Sequence, residues 1–220
     1  MSRAREIAEA ILEIGAAGFC AQQPITFKSG IVSPVYCDNR RFPFWPAQWK
    51  RVIEGFAATV SEQGIACDVI AGVEAAGIPH SAALGYATGK PSVFVRKQAK
   101  EHGTKKLVEG GDVRRRRVVL VEDLVTTGMS SLAAIDMLRA EGAEATDCLA
   151  IISYDFPEAR EKFAEAGVRL HALTTFADVL AAAEDMGAIT NYDADQIRAW
   201  LSNPRDWTPP PPMQAMAGGL

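Results

Sequence analysis

Long uncharged hydrophobic runs are missing from this 220-residue chain, and cysteine and histidine residues are scarce. No run approaches the roughly 18 to 20 apolar residues that a membrane-spanning helix requires, so we expect no membrane span and no membrane partner. The N-terminal segment mixes acidic, basic and apolar residues at helical spacing, unlike a secretory signal peptide. The four cysteines form no C-x-x-C pair, which makes a disulfide framework or a structural zinc site unexpected. Together these absences favour the cytoplasm.

An excess of positive charge is also missing. The 23 lysine and arginine residues are outnumbered by 27 aspartate and glutamate residues, which gives a net charge of -4. This acidity argues against nucleic acid as a general partner, although a small basic site remains compatible with it. Hydrophobic residues make up 48% of the chain, too many for a disordered protein, and the length suits one domain.

Apolar runs of strand length alternate with helical patterns along the chain. Residues 67–89 have the pattern of a buried strand, a glycine loop and a helix, and residues 116–143 repeat that order. This alternation predicts an α/β fold with a central, mostly parallel sheet flanked by helices. We expect a single domain over residues 1–207. The proline run that begins residues 208–220 predicts a disordered tail.

The most informative segment is VVLVEDLVTTGMSS, residues 118–131. Its apolar start predicts a buried strand over residues 118–121, and its end predicts the start of a helix. Ligands of parallel α/β sheets bind where strands end, and the free N–H groups of a helix N-terminus attract anions. Residues 126–130, called the phosphate loop below, are therefore predicted to hold a phosphate. A side chain at Gly128 is expected to obstruct that approach.

Two acids, Glu122 and Asp123, stand immediately before the phosphate loop. Two carboxylates repel a bare phosphate, so they need a metal ion or hydroxyl groups to bind. A ligand with a phosphate at one end and a diol nearby satisfies both the phosphate loop and the acid pair, and ribose 5-phosphate is such a ligand. The alternative is a strand end whose hydroxyl residues only cap the helix. The acid pair favours the ligand site over that alternative.

A cationic segment follows the predicted strand PSVFVR. It contains Arg96, Lys97, Lys100, His102, Lys105 and Lys106. Such charge runs are usually solvated turns, but this one follows a buried strand directly. His102 adds a group that titrates near neutrality. Both features favour a flexible lid that closes over a polyphosphate and excludes water.

Four segments carry a resemblance to a known family. VVLVEDLVTTG resembles the motif with which type I phosphoribosyltransferases bind 5-phosphoribosyl 1-pyrophosphate (PRPP). ITFKSGIVSPVYCDNR is similar to the signature of the orotate phosphoribosyltransferases. GVEAAGIPHS resembles that family's glycine loop near the pyrophosphate, and RKQAKEHG resembles its mobile catalytic loop. The matches run from about residue 25 to about residue 155 in the family's order.

The resemblance implies a type I phosphoribosyltransferase fold with a small N-terminal hood, about residues 1–45, and a flexible catalytic loop. It implies transfer of ribose 5-phosphate from PRPP to orotate, which gives orotidine 5'-phosphate and pyrophosphate. Mg²⁺ is expected as a cofactor held mainly through PRPP, with no direct protein ligand. A homodimer with shared active sites is expected as well.

The resemblance also assigns roles to residues. It implies that Lys100, His102 and Asp123 are catalytic, and that Lys28 and Thr126 contact orotate. The implied PRPP ligands are Arg96, Lys97, Lys100, His102, Glu122, Asp123, Leu124, Val125, Thr126, Thr127, Gly128, Met129 and Ser130.

The chain departs from the family pattern at two positions. Ala76 stands where some members have a lysine, and Phe156 where some have an arginine. Neither cationic role can be carried over, and whether Arg160 substitutes is left open.

Two alternative functions are compatible with the PRPP motif. One is a phosphoribosyltransferase for a purine or for uracil, against which the FKSG and SPVYCDNR segments argue. The other is a regulator that senses PRPP without turnover. The net negative charge and the lack of a DNA-binding extension argue against it.

Overall fold

The computed structural model describes residues 2–27, 29–97 and 107–210. Its helices are α1 (Arg3–Glu13), α2 (Pro46–Glu62), α3 (Gly77–Thr88), α4 (Met129–Ala140), α5 (Pro157–Glu165), α6 (Phe176–Asp185) and α7 (Asn191–Ser202), with a 3-10 helix at Asn39–Phe44. Its strands are β1 (Ala17–Phe19), β2 (Ile25–Thr26), β3 (Val32–Ser33), β4 (Val35–Cys37), β5 (Val69–Val73), β6 (Ser92–Val95), β7 (Val108–Glu109), β8 (Arg117–Val125), β9 (Glu144–Ser153) and β10 (Arg169–Thr175).

Six of these strands form the central sheet, in the order β10-β9-β8-β5-β6-β7. Every neighbouring pair is parallel except β6 and β7, which are antiparallel. This arrangement confirms the predicted α/β fold with a mostly parallel sheet. It also places the carboxyl ends of the central strands at one edge, where ligands of such sheets bind.

Both faces of the sheet are covered, because successive side chains of a strand point to opposite faces. In β8, Val119 and Val121 belong to one buried cluster, and Val118 and Leu120 belong to the other. The first cluster includes residues of α1, α2 and α6, and the second includes residues of α4 and α5. The apolar run of β8 is therefore explained by burial on two sides.

The N-terminal segment adds two small antiparallel pairs, β1 with β4 and β2 with β3. The 3-10 helix that follows β4 buries Asn39 and Phe42 completely. Helix α1, by contrast, packs against α6 and β10 of the main layer. The extent of the hood stays a prediction. The disordered tail stays one too, because residues 211–220 lie outside the described residues.

The predicted end of the central strand at residue 121 is wrong. Strand β8 continues to Val125, because its last residues still pair with β9. Glu122 lies opposite Ala150, and Leu124 lies opposite Ile152. The acid pair is therefore part of the strand and not of the loop after it.

In the described part of the chain, no helix is long and apolar enough to span a membrane.

Candidate active site

A cavity of about 260 Å³ opens where β8 leads into α4. It brings together Lys97 and residues 124–130, which were predicted as PRPP ligands, and adds three further residues. The other described residues predicted as PRPP ligands do not line it; these are Arg96, Glu122 and Asp123. The lining consists of Phe27, Ser29, Lys97, Leu124, Val125, Thr126, Thr127, Gly128, Met129, Ser130 and Ser131. The strand, loop and helix predicted from residues 118–131 thus form one wall of a cavity.

The phosphate loop has the backbone of an anion site. Helix α4 begins at Met129, and Gly128 before it has φ 77°. Among the described residues, no side chain caps this helix terminus, so its first N–H groups are available to a ligand. The alternative in which the loop's hydroxyl groups merely cap the helix is therefore wrong for α4.

Gly128 also has a role in the packing beneath the loop. Its positive φ lies in the region that only glycine adopts without strain. A Cβ atom at this position would meet the ring of Phe163, a buried residue of α5. A side chain here would therefore disturb the packing beneath the loop. The expected obstruction of the phosphate stays a prediction.

Glu122 is buried, and Asp123 beside it is half-buried. Glu122 is 5% exposed, and its carboxylate accepts a 3.4 Å hydrogen bond from the Ser131 hydroxyl and a 3.3 Å bond from the Asp123 N–H. Burial raises the pKa of Glu122 well above its ordinary value, and the neighbouring Asp123 charge raises it further. Burial also raises the pKa of Asp123. Such buried acids are stabilised by hydroxyl donors or cations that a ligand brings.

Asp123 is surrounded by residues of the N-terminal segment. The side chain of Asn39 donates a hydrogen bond of 2.9 Å to the backbone oxygen of Asp123. Arg40 lies close enough for its charge to lower the pKa of Asp123, against the larger effect of burial. The segment that resembles the orotate phosphoribosyltransferase signature therefore reaches the acid pair.

The cationic segment is described only at its start. Arg96 donates to Glu109 at 3.0 Å, so its guanidinium is engaged within the protein. The backbone N–H of Lys97 donates to the Glu74 carboxylate at 3.0 Å. The Lys97 charge lowers the pKa of Glu122, although burial outweighs it. The predicted site residues Lys28, Lys100 and His102 lie outside the described residues.

The two departures from the family pattern have clear structural settings. Phe156 is 2% exposed, and its ring stacks on Tyr154 with the centroids 5.5 Å apart. Ala76 precedes α3 and offers it no side-chain cap. Arg160 pairs with Asp155 at 3.0 Å on the exposed side of α5, and it does not line the cavity. The structure thus gives no support to Arg160 as the substitute cation.

Four residues of the site were missed by sequence reasoning. Phe27 and Ser29 flank Lys28 and line the cavity, and the buried Ser29 hydroxyl finds no hydrogen-bond partner among the described residues. Ser131 binds Glu122, and Asn39 binds the backbone of Asp123. All four lie within segments that carried the resemblance or directly follow the phosphate loop. Their position in these segments was the only sequence signal for their place in the site.

This arrangement suits a ligand that is anionic at one end and hydroxylated in the middle. The uncapped helix N-terminus supplies N–H donors, and the acid pair supplies acceptors for hydroxyl groups. Among the described residues, no group of three or more His, Cys, Asp or Glu side chains is placed to hold a metal ion.

The chain is similar to known proteins along most of its length. A family model described as a phosphoribosyl transferase domain matches residues 47–168. The orotate phosphoribosyltransferase of Coxiella burnetii is 38% identical over 209 residues, which cover 95% of this chain and 100% of the relative. That of Bacillus caldolyticus is 36% identical over 202 residues, which cover 92% and 98%. The crystal structure of orotate phosphoribosyltransferase from Aeropyrum pernix matches with a TM-score of 0.72 and 28% identity, covering 84% of this chain and 99% of that one.

Proposed function

The chain belongs to the orotate phosphoribosyltransferases, and on that premise we propose how its own residues carry the reaction. It transfers the ribose 5-phosphate group of PRPP to orotate, a step of pyrimidine biosynthesis, and releases orotidine 5'-phosphate and pyrophosphate. The observation that carries the assignment of residues is the cavity formed by Lys97 and residues 124–131 at the end of β8.

The phosphate loop binds the 5-phosphate of PRPP. Its support is the uncapped start of α4, where backbone N–H groups and the helix dipole both favour an anion. Thr126, Thr127 and Ser130 add hydroxyl groups to the cavity wall. Binding energy at this remote phosphate orients the ribose carbon that reacts.

Glu122 and Asp123 accept hydrogen bonds from the ribose hydroxyl groups. When pyrophosphate leaves C1, positive charge develops on the ribose ring, and a nearby carboxylate stabilises it. The burial of Glu122 and the partial burial of Asp123 support this role, since a charge acts more strongly away from water. The Ser131 hydroxyl holds the Glu122 carboxylate, and the Asn39 amide holds the backbone of Asp123.

The leaving pyrophosphate is stabilised by cations. Lys97 lies in the cavity wall, and we assign Arg96, Lys100 and His102 to the same role from the resemblance. Engagement of Arg96 requires its contact with Glu109 to rearrange. Mg²⁺ would be held mainly through the phosphate oxygens of PRPP, because it prefers oxygen ligands. It would supply positive charge that neutralises the leaving group. The protein residues nearest to that complex would be the acid pair.

Orotate binds beside the phosphate loop. Thr126 lines the cavity, and Lys28 is assigned from the resemblance. The flanking residues Phe27 and Ser29, both in the cavity wall, support a base site at this side. Orotate is already an anion with an acidic ring N–H, so its nitrogen can attack C1 without a strong base in the protein.

We further propose that the enzyme is a cytoplasmic homodimer in which the loop of one subunit serves the site of its partner. The four cysteines are all unpaired, as is usual in a reducing compartment. A long cationic loop at a two-fold interface can close over a polyphosphate without folding back on its own strand.

Product analysis tests the choice of base. The protein is incubated with PRPP, Mg²⁺ and a panel of orotate, uracil, guanine, hypoxanthine and adenine, and the nucleotides are separated by chromatography. Orotidine 5'-phosphate is expected as the main product. Preference for a purine or uracil would contradict the choice of base, and PRPP binding without any product would favour the regulator.

A further inference from the structure

Asn39 joins the N-terminal segment to the strand that carries the acid pair. Its side chain is 0% exposed, and its Nδ2 donates a 2.9 Å hydrogen bond to the backbone oxygen of Asp123. A buried amide is costly unless it is hydrogen-bonded. The contact is therefore a defined feature of the fold, although the two residues are 84 positions apart.

The contact lies where β8 loses one of its neighbours. Pairing between β5 and β8 ends at Gly72 and Val121, whereas pairing between β8 and β9 continues to Val125. Beyond Val121 the strand thus has a paired neighbour on one side only. The Asn39 amide supplies a hydrogen bond to this half-paired end, at the residue whose carboxylate is assigned to the ribose under the proposed function.

Cys37 fixes the orientation of that amide. Its Sγ lies 3.3 Å from Oδ1 of Asn39 and donates to it. Burial raises the pKa of the Cys37 thiol far above its ordinary value, and the charges of Asp123 and Asp38 raise it further. The thiol therefore keeps its proton at neutral pH. Because the amide oxygen faces this donor, the amide nitrogen faces Asp123.

We propose that Asn39, oriented by the Cys37 thiol, is a positioning residue that holds Asp123 in its reactive place. This inference rests on the proposed function, which assigns Asp123 to the ribose. Asn39 acts through the backbone of Asp123, so its loss shifts the carboxylate without removing it. A displacement of about 1 Å in a catalytic group can reduce turnover by about a hundredfold.

The test compares Asn39→Ala, Cys37→Ala and Cys37→Ser with the wild type, with Cys20→Ala as the matched control. Cys20 is the other half-buried cysteine of this segment, and its Sγ contacts the backbone of Ser33 instead. We expect Asn39→Ala to lower kcat by about ten- to a hundredfold with little change in KM for PRPP. Cys37→Ala should lower kcat less, whereas Cys37→Ser keeps a donor and should restore it.

A pH profile tests whether position 39 lies close enough to Asp123 to influence its ionisation during turnover. Asn39→Asp places a carboxylate beside Asp123, which disfavours the ionised form of Asp123 and raises its pKa. The acid limb of kcat/KM should therefore move to higher pH. The other titratable and charged groups here are the same in both proteins, so the comparison isolates position 39. They are Glu122 and Arg40 near Asp123, Lys97 near Glu122, and Cys37 with its neighbour Asp38.

Circular dichroism and thermal melting establish the folded fraction of each variant. Normal kcat and an unshifted pH profile in folded Asn39 variants, beside an inactive Asp123→Asn protein, would overturn this inference alone. Near-normal turnover of Asp123→Asn would overturn the proposed role of Asp123 and this inference with it. If Asn39→Ala does not fold, the two Cys37 variants decide: equal kcat for alanine and serine overturns the inference.

Discussion

A Cβ atom on Gly128 would lie 2.7 Å from Cε2 of Phe163, closer than two non-bonded carbon atoms approach in proteins. Together with its φ of 77°, this contact makes Gly128 a requirement of the fold. We expect Gly128→Ala to lower the free energy of unfolding by roughly 2–4 kcal/mol, from left-handed strain and overpacking together. Chemical denaturation followed by circular dichroism measures this change.

Gly89 provides the control for strain without a clash. It ends α3 with φ 66°, and a Cβ there would meet nothing within 4 Å. Gly89→Ala should therefore cost only roughly 1–2 kcal/mol, which is the strain of the left-handed backbone alone. Equal destabilisation by the two substitutions would show that the Phe163 contact has no energetic weight.

Asp123→Asn should separate activity from stability. Turnover should fall by about a hundredfold or more, because the substitution removes a charge placed for the transition state. The fold should be as stable as the wild type or more stable at neutral pH, since burial raises the pKa of this carboxyl and so opposes its ionisation in the folded state. Steady-state kinetics and thermal melting on the same preparation measure both effects. Near-normal turnover of Asp123→Asn would show that the acid pair has only a structural role.

The pH dependence of stability should reveal the burial of Glu122. Its pKa is raised in the folded state, so the folded protein retains a proton that the unfolded chain releases above its ordinary pKa. Stability from this group is complete below that pKa and is lost as pH rises toward the folded value. Glu122→Gln should therefore match the wild type near pH 4 and become progressively more stable than it as pH increases.

Asp147 is the matched control for this pH series. It is also a buried carboxyl of the central sheet, at 3% exposure. Burial alone would raise its pKa, but hydrogen bonds from Arg169, His171 and Thr146 outweigh that effect and lower it. Asp147→Asn should accordingly be less stable than the wild type at neutral pH, with the difference shrinking as pH falls. The same pH trend in both variants would contradict the opposite environments of the two acids.

The strand, phosphate loop and helix of residues 116–143 could be predicted because their signals are local. Two-sided burial makes β8 a continuous apolar run, and Gly128 marks the turn before α4. The end of β8 was predicted too early, since only pairing with β9 carries the strand through the acid pair. Acidic residues rarely extend a buried strand, so the sequence pattern pointed to a loop.

Contacts between distant segments were beyond the sequence pattern. Phe156 packs in an aromatic cluster with Tyr154 and Trp200, and no local period indicates that packing. The bond from Asn39 to Asp123 likewise depends on how the N-terminal segment folds over β8. Asn39 lies in the segment that carried the family resemblance, so its importance could be suspected but its partner could not.

Shared active sites can be tested by mixing two inactive proteins. One carries Lys100→Ala and His102→Ala in the loop, and the other carries Asp123→Asn in the site. Gly128 is left unchanged in both, because its substitution would disturb the fold. If loops act on the partner subunit, each hybrid dimer contains one site with an intact loop and an intact acid pair. Random exchange makes about half the dimers hybrids, so activity should approach about a quarter of wild type.

Loops that act on their own subunit predict a different result, because no hybrid then contains an intact site and mixing restores nothing. Different affinity tags on the two variants allow the hybrid dimers to be purified. Their recovery confirms subunit exchange, and the activity of the purified hybrids no longer depends on how complete that exchange is. Purified hybrids should then show about half of wild-type activity, since one of their two sites is intact. Inactive hybrids would establish that Lys100 and His102 serve their own subunit, and the shared-site proposal would be wrong.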